Sequence, residues 1–273
     1  MPTKPPFAYY GGKNGVAPKI IATFPPHRTY VEPFAGSLAM LFAKEPSRIE
    51  IVNDLDSAIV TFFRVARDRH EELVRALELT PYARDEFCAA EDDPELDDLE
   101  RARRLWIRVT QSFQKVAAPP RRCQWSFSAV RPKATETLTF SHRIYEIARR
   151  LRTVEIENID AVELIAKIEE PDALLYVDPP YMGATRTAGT RYAHDLLDED
   201  SHRSLAEVLR SRKCFVALSG YAHPLYEELY EAHGWNRLEF EVLAIAGNAK
   251  DGQPSRTEIV WTNYEPHAGS LFG

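Results

Sequence analysis

Four consecutive residues, Asp178-Pro179-Pro180-Tyr181, carry the most specific chemistry in the chain. They follow Ala173 to Val177, an apolar run that reads as a buried strand. In open α/β sheets, ligands bind beyond the carboxyl ends of the strands. Two successive prolines fix φ and remove two backbone donors, so the turn is stiff and its carbonyls face outward. An amino group placed there meets two acceptors, the Asp178 carboxylate and the Pro179 carbonyl. Tyr181 adds a flat face for a planar ring. The set suits an exocyclic amino group on a flat heterocycle. The same four residues also make an ordinary proline turn capped by an aspartate.

Three further segments have chemical potential. Val31-Glu32-Pro33-Phe34-Ala35-Gly36 is a turn into a helix with a small residue for close approach. It lacks the G-x-G-x-x-G pattern, and Glu32 repels phosphate, so a cationic cofactor fits it better than a pyrophosphate. Asp54 closes the next strand, where an acid binds ribose hydroxyls in nucleoside sites; it serves equally as the N-cap of the following helix. Near the N-terminus, Tyr9-Tyr10-Gly11-Gly12-Lys13 combines a permissive backbone with a lysine able to hold a carboxylate, and also reads as a plain terminal turn.

The elements around these residues alternate. Strands are expected at Tyr30-Val31, at Arg48 to Val52, at Ala173 to Val177 and at Cys214 to Ser219. Helices are expected at Leu38 to Ala43, Ser57 to Arg67, Asp200 to Arg210 and Pro224 to His233. Phe240 to Ile245 and Thr257 to Thr262 suit a closing antiparallel pair. This is a doubly wound α/β pattern. Between about 70 and 150 the alternation stops: Glu71 to Leu79 and Leu99 to Phe113 read as helices, Pro119-Pro120 as a break, and Trp125 to Ser128 as a loop or short hairpin.

Composition bounds the class. The chain has 273 residues, 44% of them hydrophobic and 27% charged, which is globular. No apolar run approaches the ~20 residues of a membrane span. The N-terminal Met-Pro-Thr-Lys-Pro-Pro has no apolar signal core, so a reduced, cytoplasmic compartment is expected. Cys88, Cys123 and Cys214 form no CxxC pair, and no metal site is expected. Net charge is −7, yet Arg101 to Lys133 holds nine basic residues and no acidic one, just after an acidic run from Glu91 to Glu100. Such a strip binds a polyanion, or is a solvated helix face with i,i+4 pairing.

Taken together, Tyr-Gly-Gly-Lys13, Glu32-Pro-Phe-Ala-Gly36, Asn53-Asp54 and Asp178-Pro-Pro-Tyr181 resemble the Dam-type adenine-specific DNA methyltransferases in order and spacing. Leu218-Ser-Gly-Tyr221 and Glu258 to Tyr264 fit as well, with a weaker match at Thr80 to Arg84 and Arg101 to Phe113. The resemblance implies a Rossmann-like methyltransferase sheet from residues 1–68 and 153–273, with residues 69–152 as a mainly helical target-recognition insert. It implies S-adenosylmethionine as methyl donor and the adenine amino group of double-stranded DNA as target. Asp178, Pro179 and Tyr181 take the catalytic positions. Tyr9, Lys13, Glu32, Phe34, Gly36, Asp54 and Asp178 take the cofactor positions. Tyr9 stands where many members have Trp, and Ser219-Gly220 where many have Ser-Asn. Within the insert, Arg121, Arg122, Arg131 and Lys133 are the expected DNA contacts, because Arg suits phosphates and guanine edges alike.

The implied reaction is direct transfer to a flipped-out base, with no covalent enzyme intermediate. None of the three cysteines follows a proline, as cytosine-ring methylation needs. Rival readings are a DNA-binding module without catalysis, an amino-methyltransferase acting on RNA or protein, and a nucleotide-dependent oxidoreductase. The sequence leaves the oligomeric state open; a monomer is compatible with it.

Overall fold

The computed structural model describes residues 5–7, 13, 15–113, 124–181, 198–242 and 256–266. In chain order the N-terminal elements are α1 (Ala17–Ile21), β1 (Thr29–Glu32), α2 (Ala39–Ala43), β2 (Ile49–Asn53) and α3 (Ser57–Asp68). The middle holds α4 (His70–Glu78), α5 (Arg84–Ala89), α6 (Asp98–Gln111), α7 (Lys133–Ser141) and α8 (Ile144–Leu151). Then come β3 (Val154–Glu157), α9 (Ala161–Lys167), β4 (Ala173–Val177), α10 (Glu199–Arg210) and β5 (Phe215–Gly220). The chain closes with α11 (Pro224–Leu229), a 3-10 turn at Glu231–His233, β6 (Asn236–Val242) and β7 (Arg256–Thr262).

The strands form one seven-stranded sheet in the order β3-β2-β1-β4-β5-β7-β6. The neighbours from β3 to β5 run parallel, and β7 lies antiparallel between β5 and β6. The order reverses between β1 and β4, which is where a doubly wound sheet opens its ligand crevice. Both strands end there on residues singled out by their chemistry, Glu32 and Asp178.

Alternation along the strands divides the core in two. Tyr30, Leu174, Tyr176, Ala217 and Val260 face one layer, packed by α1 to α4, α6 and α8. Val31, Leu175, Val177, Val216, Leu218, Ile259 and Trp261 face the other, packed by α9, α10 and α11. A period of two with both faces apolar is what a sheet covered on both sides requires.

The helical stretch between 69 and 152 does not stand apart from this core. Leu73, Val74 and Leu77 of α4, Leu105, Trp106 and Val109 of α6, and Ile144, Ile147 and Leu151 of α8 all belong to the first layer. Trp106 stacks on Phe62 of α3 at 6.4 Å and 13°. Arg150 of α8 reaches across to the Glu50 carboxylate and the Leu41 carbonyl. Lys44 donates to the same carboxylate at 2.7 Å. Burial works against the Glu50 charge, but these hydrogen bonds outweigh it and hold the carboxyl below its usual range.

Two differences from the sequence expectations have local causes. The strand β3 was hidden by its length: Val-Glu-Ile-Glu is a four-residue edge strand with a half-polar face. The closing pair starts earlier than Phe240. Gly234, at φ 80°, ends the 3-10 turn in the left-handed region, and the chain enters β6 at Asn236. Trp125 to Ser128, expected as a loop or short hairpin, is a loop whose first residue bridges Ser112 among the described residues.

Candidate active site and nucleic-acid interface

The carboxyl end of β4 delivers Asp178, and the Pro179-Pro180 turn carries Tyr181 back under it. Lys13, buried from solvent, donates to Asp178 Oδ1 at 2.8 Å and lies 2.7 Å from Oδ2. It also donates to the Tyr181 hydroxyl at 2.6 Å. The Tyr181 hydroxyl sits 2.9 Å from Asp178 Oδ1 and 2.7 Å from Glu258 Oε1. Ser219 on β5 donates to the same Glu258 oxygen at 2.6 Å, and Lys13 lies 3.4 Å from it. Tyr221, just past β5, packs edge-on against the Tyr181 ring at 4.5 Å.

The electrostatics follow from this crowding. Burial disfavours the Lys13 charge, but the Asp178 and Glu258 carboxylates outweigh it and raise the pKa of the ammonium. Burial, reinforced by the same two carboxylates, pushes the Tyr181 phenol well above its usual range, so it stays protonated and acts as a hydrogen-bond bridge. Among the described residues none donates to the Pro179 carbonyl. Of the two acceptors expected from the sequence, the Asp178 carboxylate already carries the Lys13 ammonium as counter-ion.

The cofactor loop is shaped by two left-handed residues, Gly36 at φ 48° and Leu38 at φ 57°. Glycine takes that conformation at little cost, whereas Leu38 does not, and it is held there by complete burial. Gly36 N–H donates to Asp54 Oδ2 at 2.9 Å, and Asp56 N–H to Oδ1 at 2.9 Å. Asp54 thus fixes the loop against the end of β2. The N-cap of α3 is Asp56, not Asp54, and it accepts from Ala58 N–H. Phe34 packs, half-buried, against the second core layer.

Glu32 departs from the picture drawn from its charge. Its carboxyl is buried and accepts Leu41 N–H at 3.1 Å in the first turns of α2. Burial pushes its pKa up to about 8. Burial thus favours the neutral form of a carboxyl that ties β1 to α2.

The basic strip is also corrected. Arg101 pairs with Asp92 at 3.2 Å and reaches Ser57 and Thr61. Arg103 is held by Glu100 at 2.7 Å and Glu86 at 2.8 Å, and Arg104 by Glu100 at 2.9 Å. Arg108 is buried. Arg101, Arg103 and Arg104 are thus paired with acids that precede them, the i,i+4 pair of Arg104 with Glu100 included. Arg131 is exposed and Lys133 half-buried, and no ion pair among the described residues holds either. Tyr9, Arg121 and Arg122 lie outside the described residues.

A cluster of aromatic side chains around Trp125 is missing from the sequence expectations. Tyr82 donates to the Ser126 carbonyl at 2.6 Å, Arg84 lies over the Trp125 ring at 4.8 Å, and Trp125 stacks on Phe127. Phe113 and Phe127 are 65% and 72% exposed, too much for core residues. Ser219 and Glu258 were also missed as site residues, although both lie in segments that fit the resemblance. One signal was available: Glu258 shares a face of β7 with buried Val260, and a buried acid requires partners. Gly220 has a steric reason, because a Cβ there would lie 3.0 Å from Trp261 and 3.1 Å from Tyr226.

Among the described residues no cluster of three His, Cys, Asp or Glu side chains suits a metal ion, and no helix is long and apolar enough to cross a membrane. Comparisons with known proteins bear on this site. A Type II methyltransferase, M1.LlaDCHI from Lactococcus lactis subsp. cremoris, is 26% identical over 271 residues, covering 93% of each chain. Among solved structures, the rRNA methyltransferase aviRa from Streptomyces viridochromogenes aligns over 90% of this chain and 83% of its own, at 11% identity and TM-score 0.38. A conserved hypothetical protein from Streptococcus pyogenes aligns over 93% and 97%, at 11% identity and TM-score 0.33. At those values neither structure's activity bears on this chain. The family match is decisive: residues 9–242 fit the D12 class N6 adenine-specific DNA methyltransferases. The chain belongs to that family, and is an S-adenosylmethionine-dependent enzyme that methylates adenine in DNA.

Proposed function

We propose that methyl transfer takes place at the Asp178-Pro179-Pro180-Tyr181 turn, on an adenine swung out of duplex DNA. The observation that carries this reading is the pair of acceptors at the carboxyl end of β4, one of them braced by buried Lys13. The adenine amino nitrogen is a poor nucleophile because its lone pair is delocalised into the ring. Accepting its two N–H groups, Asp178 and the Pro179 carbonyl favour a pyramidal nitrogen with a localised lone pair. Both acceptors also stabilise the positive charge that develops on nitrogen during attack. The Tyr181 ring, its hydroxyl anchored on Glu258, offers the stacking surface that recovers part of the unstacking cost of a few kcal/mol.

S-adenosylmethionine supplies an electrophilic methyl group on a sulfonium when bound. The loop geometry fits such a nucleoside cofactor. The left-handed turn at Gly36 brings backbone close to the crevice, and Asp54 lies beside it at the end of β2, where an acid meets ribose hydroxyls. Holding both reactants at adjacent strand ends makes the step effectively unimolecular. Lys13 is engaged by Asp178 in the structure, so its part in the site is to neutralise and orient that acid.

For the DNA, the reading rests on the exposed side of the 69–152 stretch. Arg131 and Lys133, together with Arg121 and Arg122, supply the phosphate contacts, and the exposed rings of Phe113 and Phe127 offer apolar wedges for base steps. A single-turnover assay on a short adenine-containing duplex tests the catalytic assignment. Asp178→Ala should lower the rate at least a hundredfold, about 3–4 kcal/mol of transition-state stabilisation, while DNA and cofactor still bind. A near wild-type rate would reduce Asp178 to a turn cap.

A further inference from the structure

The site contains an acid that the reaction as described does not use. Glu258 on β7 is buried, yet its Oε1 collects three neighbours: the Tyr181 hydroxyl at 2.7 Å, the Ser219 hydroxyl at 2.6 Å and the Lys13 ammonium at 3.4 Å. Two carboxylates therefore share one ammonium and one phenol. The competition between them has a direct chemical meaning, because Asp178 must free its acceptor capacity for the target amino group. In the structure both Asp178 oxygens are occupied, by Lys13 at 2.8 and 2.7 Å, and Oδ1 again by Tyr181 at 2.9 Å.

The Tyr181 hydroxyl carries one proton and accepts the Lys13 hydrogen bond, so it donates either to Asp178 or to Glu258, never to both. Donation to Glu258 removes one of the two donors on Asp178 Oδ1 and leaves only the Lys13 ammonium there. The same choice applies to the ammonium: attraction to Glu258 relaxes its grip on Asp178. Ser219, donating to Glu258 from the neighbouring strand β5, holds the acid in place to receive both.

We infer that Glu258 is a positioning residue for methyl transfer: it takes up the Tyr181 hydroxyl and part of the Lys13 charge, and so frees Asp178 to accept the adenine amino group. The inference rests on the assignment of Asp178 as the acceptor. No bond to Glu258 is made or broken; only hydrogen-bond partners change. A buried, fully partnered network of this kind is strongly coupled, so pairwise removal reveals it.

The test is single-turnover methyl transfer at saturating duplex and S-adenosylmethionine, with dissociation constants for both measured on the same full-length proteins. Glu258→Gln keeps the shape and an acceptor for Ser219 but loses the charge. Its rate should fall at least tenfold, with both dissociation constants within about twofold of wild type. A purely structural role would instead shift binding and rate together. In a Tyr181→Phe background the same change should cost less than threefold, because the shared hydroxyl is gone. Ser219→Ala, a milder change, should lower the rate at least threefold and show the same coupling to Tyr181→Phe. It decides the matter if Glu258→Gln fails to fold by circular dichroism. A wild-type rate in Glu258→Gln, or equal losses in the two backgrounds, overturns the inference. Asp178→Ala, run alongside, separates the cases: if it is inactive while Glu258→Gln is normal, only the role of Glu258 fails. If both are normal, the assignment of the acceptor fails with it.

Discussion

Glu32 shows how a single buried group changes the behaviour of the site. Burial raises the pKa of its carboxyl from 4.5 to about 8, against the opposing pull of the Tyr30 hydroxyl and the Lys44 ammonium. The folded chain therefore holds a proton that the unfolded chain has lost, throughout the window between those two values. Stability is fully present below pH 4.5, declines as pH rises towards 8, and levels off above it, with a total of a few kcal/mol at stake. Glu32→Gln removes the ionisation and keeps the acceptor for Leu41 N–H. Thermal melts at pH 6 and pH 8.5 should show wild type losing stability between the two and the variant losing much less. Parallel losses would mean that Glu32 ionises freely in the folded state. The residue scale is also where the sequence was most informative about chemistry and least about partners. Asp178, Tyr181 and Lys13 were identifiable by type and order: the Pro-Pro turn is stiff, and the Gly-Gly-Lys segment stands out by composition. Their mutual bonds span 165 and 168 positions along the chain, a closure that no local pattern records.

At the scale of elements, strands and helices with a clear period were legible. The run Ala173 to Val177 matches β4 residue for residue, and Ser57 to Arg67 falls one residue short of α3. Several short elements were not: α5, β3 and α9 have four to seven residues, mostly with polar positions that blur any period. The alternation also stops at residue 70 without the core stopping there. Helices α4, α6 and α8 read as an insert because no strand separates them, yet they cover one face of the sheet. This predicts a common unfolding transition. Trp106→Ala removes a ring stacked on Phe62 and should cost about 3–5 kcal/mol. It should lower the midpoint of the whole chain in denaturant, followed both by far-ultraviolet circular dichroism and by cofactor binding. Loss of the α6 signal with the cofactor site intact would show that the two parts unfold separately.

For the whole molecule, net charge was a poor guide and the placement of charge a better one. A chain at −7 engages a polyanion only through a surface where cations are left unpaired. Asp92 and Glu100 of the acidic run pair with Arg101, Arg103 and Arg104, so these three cations are engaged within the fold. Arg131→Ala with Lys133→Ala should weaken duplex binding and reduce the slope of log K against log salt by about two units, one per lost phosphate contact. The equivalent change at Arg103 should leave that slope unaltered. Binding of unchanged salt dependence in the double variant would move the interface elsewhere. The central proposal joins all three scales: an acid held by a buried network, at a strand end, accepts the adenine amino group that takes the methyl from S-adenosylmethionine. Its most direct measurement is the map of methylated bases in DNA from cells expressing the wild-type chain or Asp178→Ala. The account predicts N6-methyladenine in a defined sequence context with the wild-type chain and none with the variant. Methylation of a different base, or the same adenines methylated with Asp178→Ala, would contradict it.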